Sequence, residues 1–114
     1  MTAGLHTIVY PVTDLVKAKT LFNALLHAEP TIDTPHYVGY RIAGQDIALD
    51  PNGHTGKGMT APIGYWHVTD LHTHLTTLVA AGATITQPPT DVGNGKLIAT
   101  ITDPDGNQIG LLQP

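Results

Sequence analysis

Two stretches of the chain share one pattern of apolar and polar positions. Each begins with a short run rich in β-branched and aromatic residues, GLHTIVYPV at residues 4–12 and IGYWHV at residues 63–68, which is typical of a strand. Each run leads into the same four residues, VTDL, at positions 12–15 and again at positions 68–71. The repetition predicts that the two halves of the chain are built on one plan.

Apolar residues at helical spacing follow each VTDL copy. The stripe consists of Leu15, Ala18, Phe22, Leu25 and Leu26 in the first half and of Leu71, Leu75, Leu78 and Val79 in the second. Thr13 or Asp14 is predicted to cap the first helix and Asp70 the second, because a short side-chain oxygen can accept from the free N–H groups of a first turn. Pro30 and Gly82 are the predicted helix stops.

Three more strand-like segments are predicted after each helix. They are residues 31–33, 37–42 and 44–51 in the first half, and residues 83–88, 96–102 and 106–114 in the second. The order of elements is therefore β-α-β-β-β in each half. We predict an α+β fold of two such modules, residues 1–52 and 62–114, related by pseudo-twofold symmetry and joined by a linker loop at residues 53–61.

The composition excludes several kinds of partner and several kinds of site. A net charge of −4 with five Lys and Arg residues leaves no basic surface for nucleic acid or for an anionic membrane. The sequence has no cysteine and no serine, which excludes disulfides, thiolate ligands and a serine nucleophile. No segment approaches the ~20 apolar residues of a membrane span, and the first residues lack a signal-peptide pattern. We therefore predict a cytoplasmic protein.

The doubled βαβββ plan, the V-x-D-L junctions and DPDGNQIGLL at residues 103–112 resemble the vicinal oxygen chelate superfamily. That group includes glyoxalase I, bleomycin-resistance proteins and extradiol dioxygenases, and the resemblance covers nearly the whole chain. It implies two modules whose curved mixed sheets enclose a cleft. It also implies a homodimer, which would cover exposed strand edges.

The resemblance further implies where a metal would be bound. Metal-dependent members place ligands near the start of each module's first strand and within its last strand. The matching positions here are Thr7, Ala48, Ile63 and Gly110. A divalent ion needs imidazole, carboxylate or several amide oxygens, and these residues supply at most one hydroxyl. We therefore predict no metal and no cofactor, as in binding proteins of the bleomycin-resistance type.

Strand alternation selects the residues that would face the cleft. They are Thr7, Val9, Ala48, Asp50, Ile63, Tyr65, His67, Gly110 and Leu112, with Arg41 as a further candidate. One interpretation is a metal-free protein that sequesters or carries a small, partly aromatic molecule. The alternative is a lyase or isomerase of the same superfamily with His67 as general base, assisted by Asp50 or Tyr65, with or without a displaced metal site.

Strand alternation also predicts which residues face away from the cleft. His6, Tyr10 and Trp66 have the opposite parity, so they are expected on the helix side of their strands. In YVGYRI, the sequence leaves open whether Tyr37 and Arg41 or the intervening residues face the cleft.

Overall fold

The computed structural model describes residues 2–114. Its elements, in chain order, are β1 (Thr2–Pro11), α1 (Leu15–Leu26), β2 (Ile32–Thr34), β3 (Tyr37–Ile42), β4 (Gln45–Asp50), α2 (Gly53–Gly56), β5 (Ile63–Val68), α3 (Leu71–Ala80), β6 (Thr84–Asp91), β7 (Leu97–Thr102) and β8 (Gln108–Gln113). The α+β fold and the βαβββ order of each half are confirmed. The bounds predicted for β3 and β5 match the structure.

Residues 7–63 form one compact unit, called here the first unit. In it β1 pairs in parallel with β4, and β4, β3 and β2 continue as antiparallel neighbours. The helix α1 covers one face, where Val38, Tyr40 and Leu49 are buried. Asp14 caps this helix by accepting from the backbone N–H of Lys17 at 3.1 Å. Most of the predicted apolar stripe of α1 packs partly buried against this core, but Leu25, which the sequence analysis included in the stripe, is 66% exposed.

Residues 64–114, together with the chain up to His6, form the second unit. Its strands repeat the same order, with β5 parallel to β8 and with β8, β7 and β6 antiparallel in turn. Here α3 covers a core that includes Leu71, Leu75 and Leu111. Asp70 caps α3 and accepts from both the backbone N–H and the hydroxyl of Thr73. The shared strand order follows from the sequence repeat.

Two local features differ from the sequence analysis. Trp66 has the parity of the helix side, yet 39% of its surface is exposed. The segment predicted as a linker loop contains the helical turn α2 and the buried residue Met59. Gly53 allows this turn to pack closely, since a Cβ at that position would lie 2.7 Å from Cβ of Pro11.

The turn between β7 and β8 is organised by Asp103. Its carboxylate accepts from the backbone N–H groups of Asp105 and Asn107 and from Nδ2 of Asn107, at 2.8–2.9 Å. These bonds, first of all the one from the Asn107 side chain, lower the pKa of Asp103 below its usual value of 3.8.

Because of Asp103, the free energy of unfolding should fall at acid pH. A carboxyl whose pKa is lower in the folded state contributes fully above its unfolded value, and the contribution is lost as the pH falls through the folded value. Urea denaturation from about pH 5 downwards should therefore show a smaller loss of stability in Asp103→Asn than in the parent. Asp105→Asn serves as the matched control, and equal acid losses in Asp103→Asn and the parent would contradict the prediction.

Within the described residues, no helix is long and apolar enough to cross a membrane.

Candidate functional site

In the first unit, the sheet face turned away from α1 gathers many of the predicted ligand-contacting residues. Strand register places Ala48 beside Val9 on one side and beside Gly39 on the other, and side chains in register share a face. This helix-free face of the first unit is formed by Thr7, Val9, Tyr37, Gly39, Arg41, Asp46, Ala48 and Asp50. Val38 and Tyr40 pack on the opposite side under α1. Arg41 therefore lies on the same face of the sheet as Ala48, a point that the sequence left open.

Asp50 is a buried carboxylate at the end of β4. Its Oδ2 accepts from Nζ of Lys57 at 2.6 Å, and its Oδ1 accepts from the backbone N–H of Asn52 at 2.8 Å. The carbonyl of the same residue accepts from the N–H of Val12. Asp50 therefore fixes the segment that follows β4, and a ligand at this carboxylate would have to compete with Lys57.

In the second unit, an aromatic ring covers the glycine of the last strand. Tyr65 and Gly110 are in register on β5 and β8, and a Cβ built on Gly110 would lie 2.6 Å from Cγ and 2.7 Å from Cε2 of Tyr65. The equivalent pair in the first unit is Val9 and Ala48. Gly110 is therefore small because the ring of Tyr65 occupies the space above it. Sequence reasoning missed this contact, since it depends on the register between two distant segments.

His67 follows Tyr65 on the same face of β5 and is in register with Leu112. Its ring meets the ring of His6 edge-on, with 6.0 Å between the centroids and 85° between the planes. The hydroxyl of Thr2 donates to the carbonyl of His67 at 2.7 Å, which holds the start of β1 beside β5. Strand alternation had placed His6 on the other side. Gly4, with φ of +100°, interrupts regular strand geometry next to it, so a strict two-residue period does not describe this end of β1.

The positions that the family resemblance assigns to a metal do not fit one. In the first unit Thr7, Ala48 and Ile63 are all buried, and only Thr7 carries a side-chain oxygen. In the second unit Gly110 has no side chain, and the Tyr65 ring lies over it. Across residues 2–114, no group of three or more His, Cys, Asp or Glu side chains could hold an ion. The donor set here is therefore inadequate for a divalent cation.

Comparison with known proteins identifies related families and folds. A family model described as the Glyoxalase/Bleomycin resistance protein/Dioxygenase superfamily matches residues 4–111. A search of curated proteins finds no match.

Several solved structures share the fold. A glyoxalase/bleomycin resistance protein/dioxygenase superfamily member from Vibrio splendidus 12B01 has a TM-score of 0.70 at 17% identity, covering 96% of this chain and 99% of that one. Methylmalonyl-CoA epimerase from Mycobacterium tuberculosis has a TM-score of 0.72 at 17% identity, covering 99% and 89%. A Legionella pneumophila protein described as NAD-dependent benzaldehyde dehydrogenase has a TM-score of 0.74 at 15% identity, covering 94% and 96%. At these identities the likeness concerns the fold alone.

Proposed function

The chain belongs to the glyoxalase/bleomycin resistance protein/dioxygenase superfamily, and on that premise we propose that it is a metal-free protein that binds a small molecule and sequesters or carries it. The observation that supports this best is the Tyr65 ring over Gly110. It puts an aromatic surface where metal-dependent relatives would need a donor side chain. An aromatic and apolar surface with a few polar groups is how small-molecule sites are commonly built.

The second unit supplies such a surface. On its helix-free face the Tyr65 ring is followed by the half-buried His67 and by Leu112. The buried Thr100 lies next to Gly110 and donates to Oε1 of Gln87 at 2.8 Å. This face therefore offers one aromatic ring and one imidazole to a ligand, with the buried Leu112 and Thr100 beneath them. Binding of a small molecule by these residues remains a prediction, as does the homodimer.

The alternative is a lyase or isomerase with His67 as general base. The observation in its favour is the second imidazole, His6, beside His67. The observation against it is that the Asp50 carboxylate already accepts hydrogen bonds from Lys57 and from the backbone N–H of Asn52. A catalytic histidine is usually held by a third group that fixes its orientation, and the predicted carboxylate is occupied elsewhere. Binding is therefore the better-supported proposal.

Metal analysis tests the proposal. Purified parent protein and His67→Ala are dialysed against nickel, zinc and manganese, and bound metal is measured by mass spectrometry. We expect no stoichiometric ion in either protein, because a divalent cation would have to be dehydrated without replacement ligands. A stoichiometric ion in the parent that is lost in His67→Ala would overturn the proposal in favour of an enzyme with a displaced metal site.

Ligand binding is measured on the same samples. Chelator-treated protein is mixed with bleomycin and with a panel of aromatic small molecules, and its melting temperature and the fluorescence of Trp66 are followed. We expect at least one compound to raise the melting temperature without added metal, since anything that binds the folded state stabilises it. Binding only after metal is restored, or no binding at all, would contradict the proposal.

A further inference from the structure

The first unit contains a hollow of about 230 Å³. Its lining includes Gly39, the apolar or aromatic side chains of Ile32 and Tyr37, and the charged side chains of Arg41 and Asp46. Its volume lies below the ~300–1,000 Å³ typical of sites that enclose a drug-sized ligand. The hollow therefore has room for one small ring, or for one ring of a larger molecule.

The two units differ at the place of Gly39. In the first unit Gly39 lies in register between Ile32 and Ala48. In the second unit the equivalent place is taken by Thr100, whose hydroxyl is hydrogen-bonded to Gln87. The second unit therefore has a hydrogen-bonded pair of side chains here, whereas in the first unit Gly39 contributes no side chain and the ring of Tyr37 lies close to it.

The apolar part of the hollow is suited to a flat group. A Cβ at Gly39 would lie 3.1 Å from Cε1 of Tyr37 and 3.6 Å from Cβ of Ile32, so these two side chains flank the glycine. Both side chains are exposed, Ile32 at 50% and Tyr37 at 37%. An aromatic ring placed in the hollow against these two side chains would bury part of this surface and meet Tyr37 in a stacked or edge-on contact.

The polar part of the hollow is suited to an anion. Arg41 is the single arginine of the chain. Its Nη1 donates to Oδ1 of Asp46 at 2.7 Å, and its side chain is 60% exposed. A guanidinium has five N–H donors in a planar fork, so one bond to Asp46 leaves donors available to a ligand carboxylate. The charge of Asp46 beside Arg41 disfavours a ligand with two negative charges.

From this arrangement we propose that the hollow lined by Gly39 and Tyr37 is a subsite for an aromatic monocarboxylate, with the ring against Tyr37 and Ile32 and the carboxylate on Arg41. This inference rests on the proposed function, because it names the class of small molecule that the protein binds. In this proposal Arg41 binds the carboxylate, and Gly39, at the place of Thr100 in the second unit, contributes to the lining of the subsite.

Benzoate is the probe, and neutral benzamide is its matched control. Binding to the full chain is followed by NMR, through the amide signals of Gly39 and Arg41. We expect benzoate to shift these signals and to bind at least about 10-fold more tightly than benzamide, which is the size of one charge-assisted hydrogen bond. Benzamide binding as tightly as benzoate would overturn the role of Arg41.

Three variants test the geometry. Gly39→Thr copies the second unit and places a side chain against Tyr37 in the lining of the hollow, and Arg41→Gln removes the charge. Each should weaken benzoate binding about 10-fold or more. Asp46→Asn removes the competing carboxylate, so it should tighten benzoate binding, an effect that a folding defect would not produce. Lys17→Gln removes an exposed positive charge on α1 and should leave the affinity unchanged.

The outcomes separate this inference from the proposed function. Binding of other compounds to the parent, with benzoate absent or insensitive to Gly39→Thr and Arg41→Gln, would reject the subsite and leave the proposed function standing. Weaker binding in Asp46→Asn would also reject it. Failure of every compound to bind the parent would reject both.

Discussion

Replacement of Gly110 by alanine should destabilise the protein by about 1–3 kcal/mol, the usual cost of overpacking a well-filled interior. The opposite sign would be expected from propensity alone, since glycine weakens a strand interior. Here the added methyl group would meet the ring of Tyr65, which already occupies that space on the buried strand β8. The ring can move only by giving up its own contacts.

A double-mutant cycle isolates the contact between residues 65 and 110. The second change is Tyr65→Val, so that the double variant carries the Val–Ala pair found at Val9 and Ala48 in the first unit. Urea denaturation of the four proteins should show that Gly110→Ala costs much less when Tyr65 is absent, with a coupling of about 1–2 kcal/mol. Additive effects of the two changes would show that the ring does not cover Gly110 in solution.

The two VTDL junctions should respond differently to the same substitution. Leu71→Ala is expected to cost about 2–5 kcal/mol, because Leu71 is fully buried and its removal leaves a cavity. It is enclosed by Val68, Leu75 and Leu111 in the core under α3. Leu15, at the same place in the first unit, is only partly buried at the margin of its core, so Leu15→Ala should cost less.

Thermal or urea denaturation of both variants measures this difference. Leu25→Ala is the control, because 66% of Leu25 is exposed and surface substitutions usually stay within about 0.5 kcal/mol. Equal costs at positions 15 and 71 would mean that the repeat has preserved equal packing in the two halves. That result would contradict the burial difference in the structure.

Short-range patterns predicted the elements well. Runs of β-branched and aromatic residues indicated β1 and β5, helical spacing indicated α1 and α3, and a polar capping residue before each helix marked its start. Each of these features depends on residues a few positions apart, where local physics is sufficient. The exposure of Trp66 and the turn α2 were missed because they depend on packing against segments elsewhere in the chain.

The candidate site was harder to predict for the same reason. Alternation grouped Val9 with Ala48 and Tyr65 with Gly110, and strand register places each pair side by side. It did not reveal that one glycine is covered by a ring while another, Gly39, leaves a hollow. Both features depend on side chains of neighbouring strands, and the register between those strands cannot be predicted from either segment alone.

The cover over Gly110 also constrains how this chain could change its chemistry. A histidine or glutamate at position 110 would have to place its Cβ within the volume of the Tyr65 ring. Replacement of Gly110 alone by a metal-ligating residue would therefore lower the stability of the fold before any metal could bind. An ordered route must shrink residue 65 first and introduce the donor afterwards. A metal ligand at position 110 of this chain therefore requires two substitutions, and the contact with the Tyr65 ring sets their order.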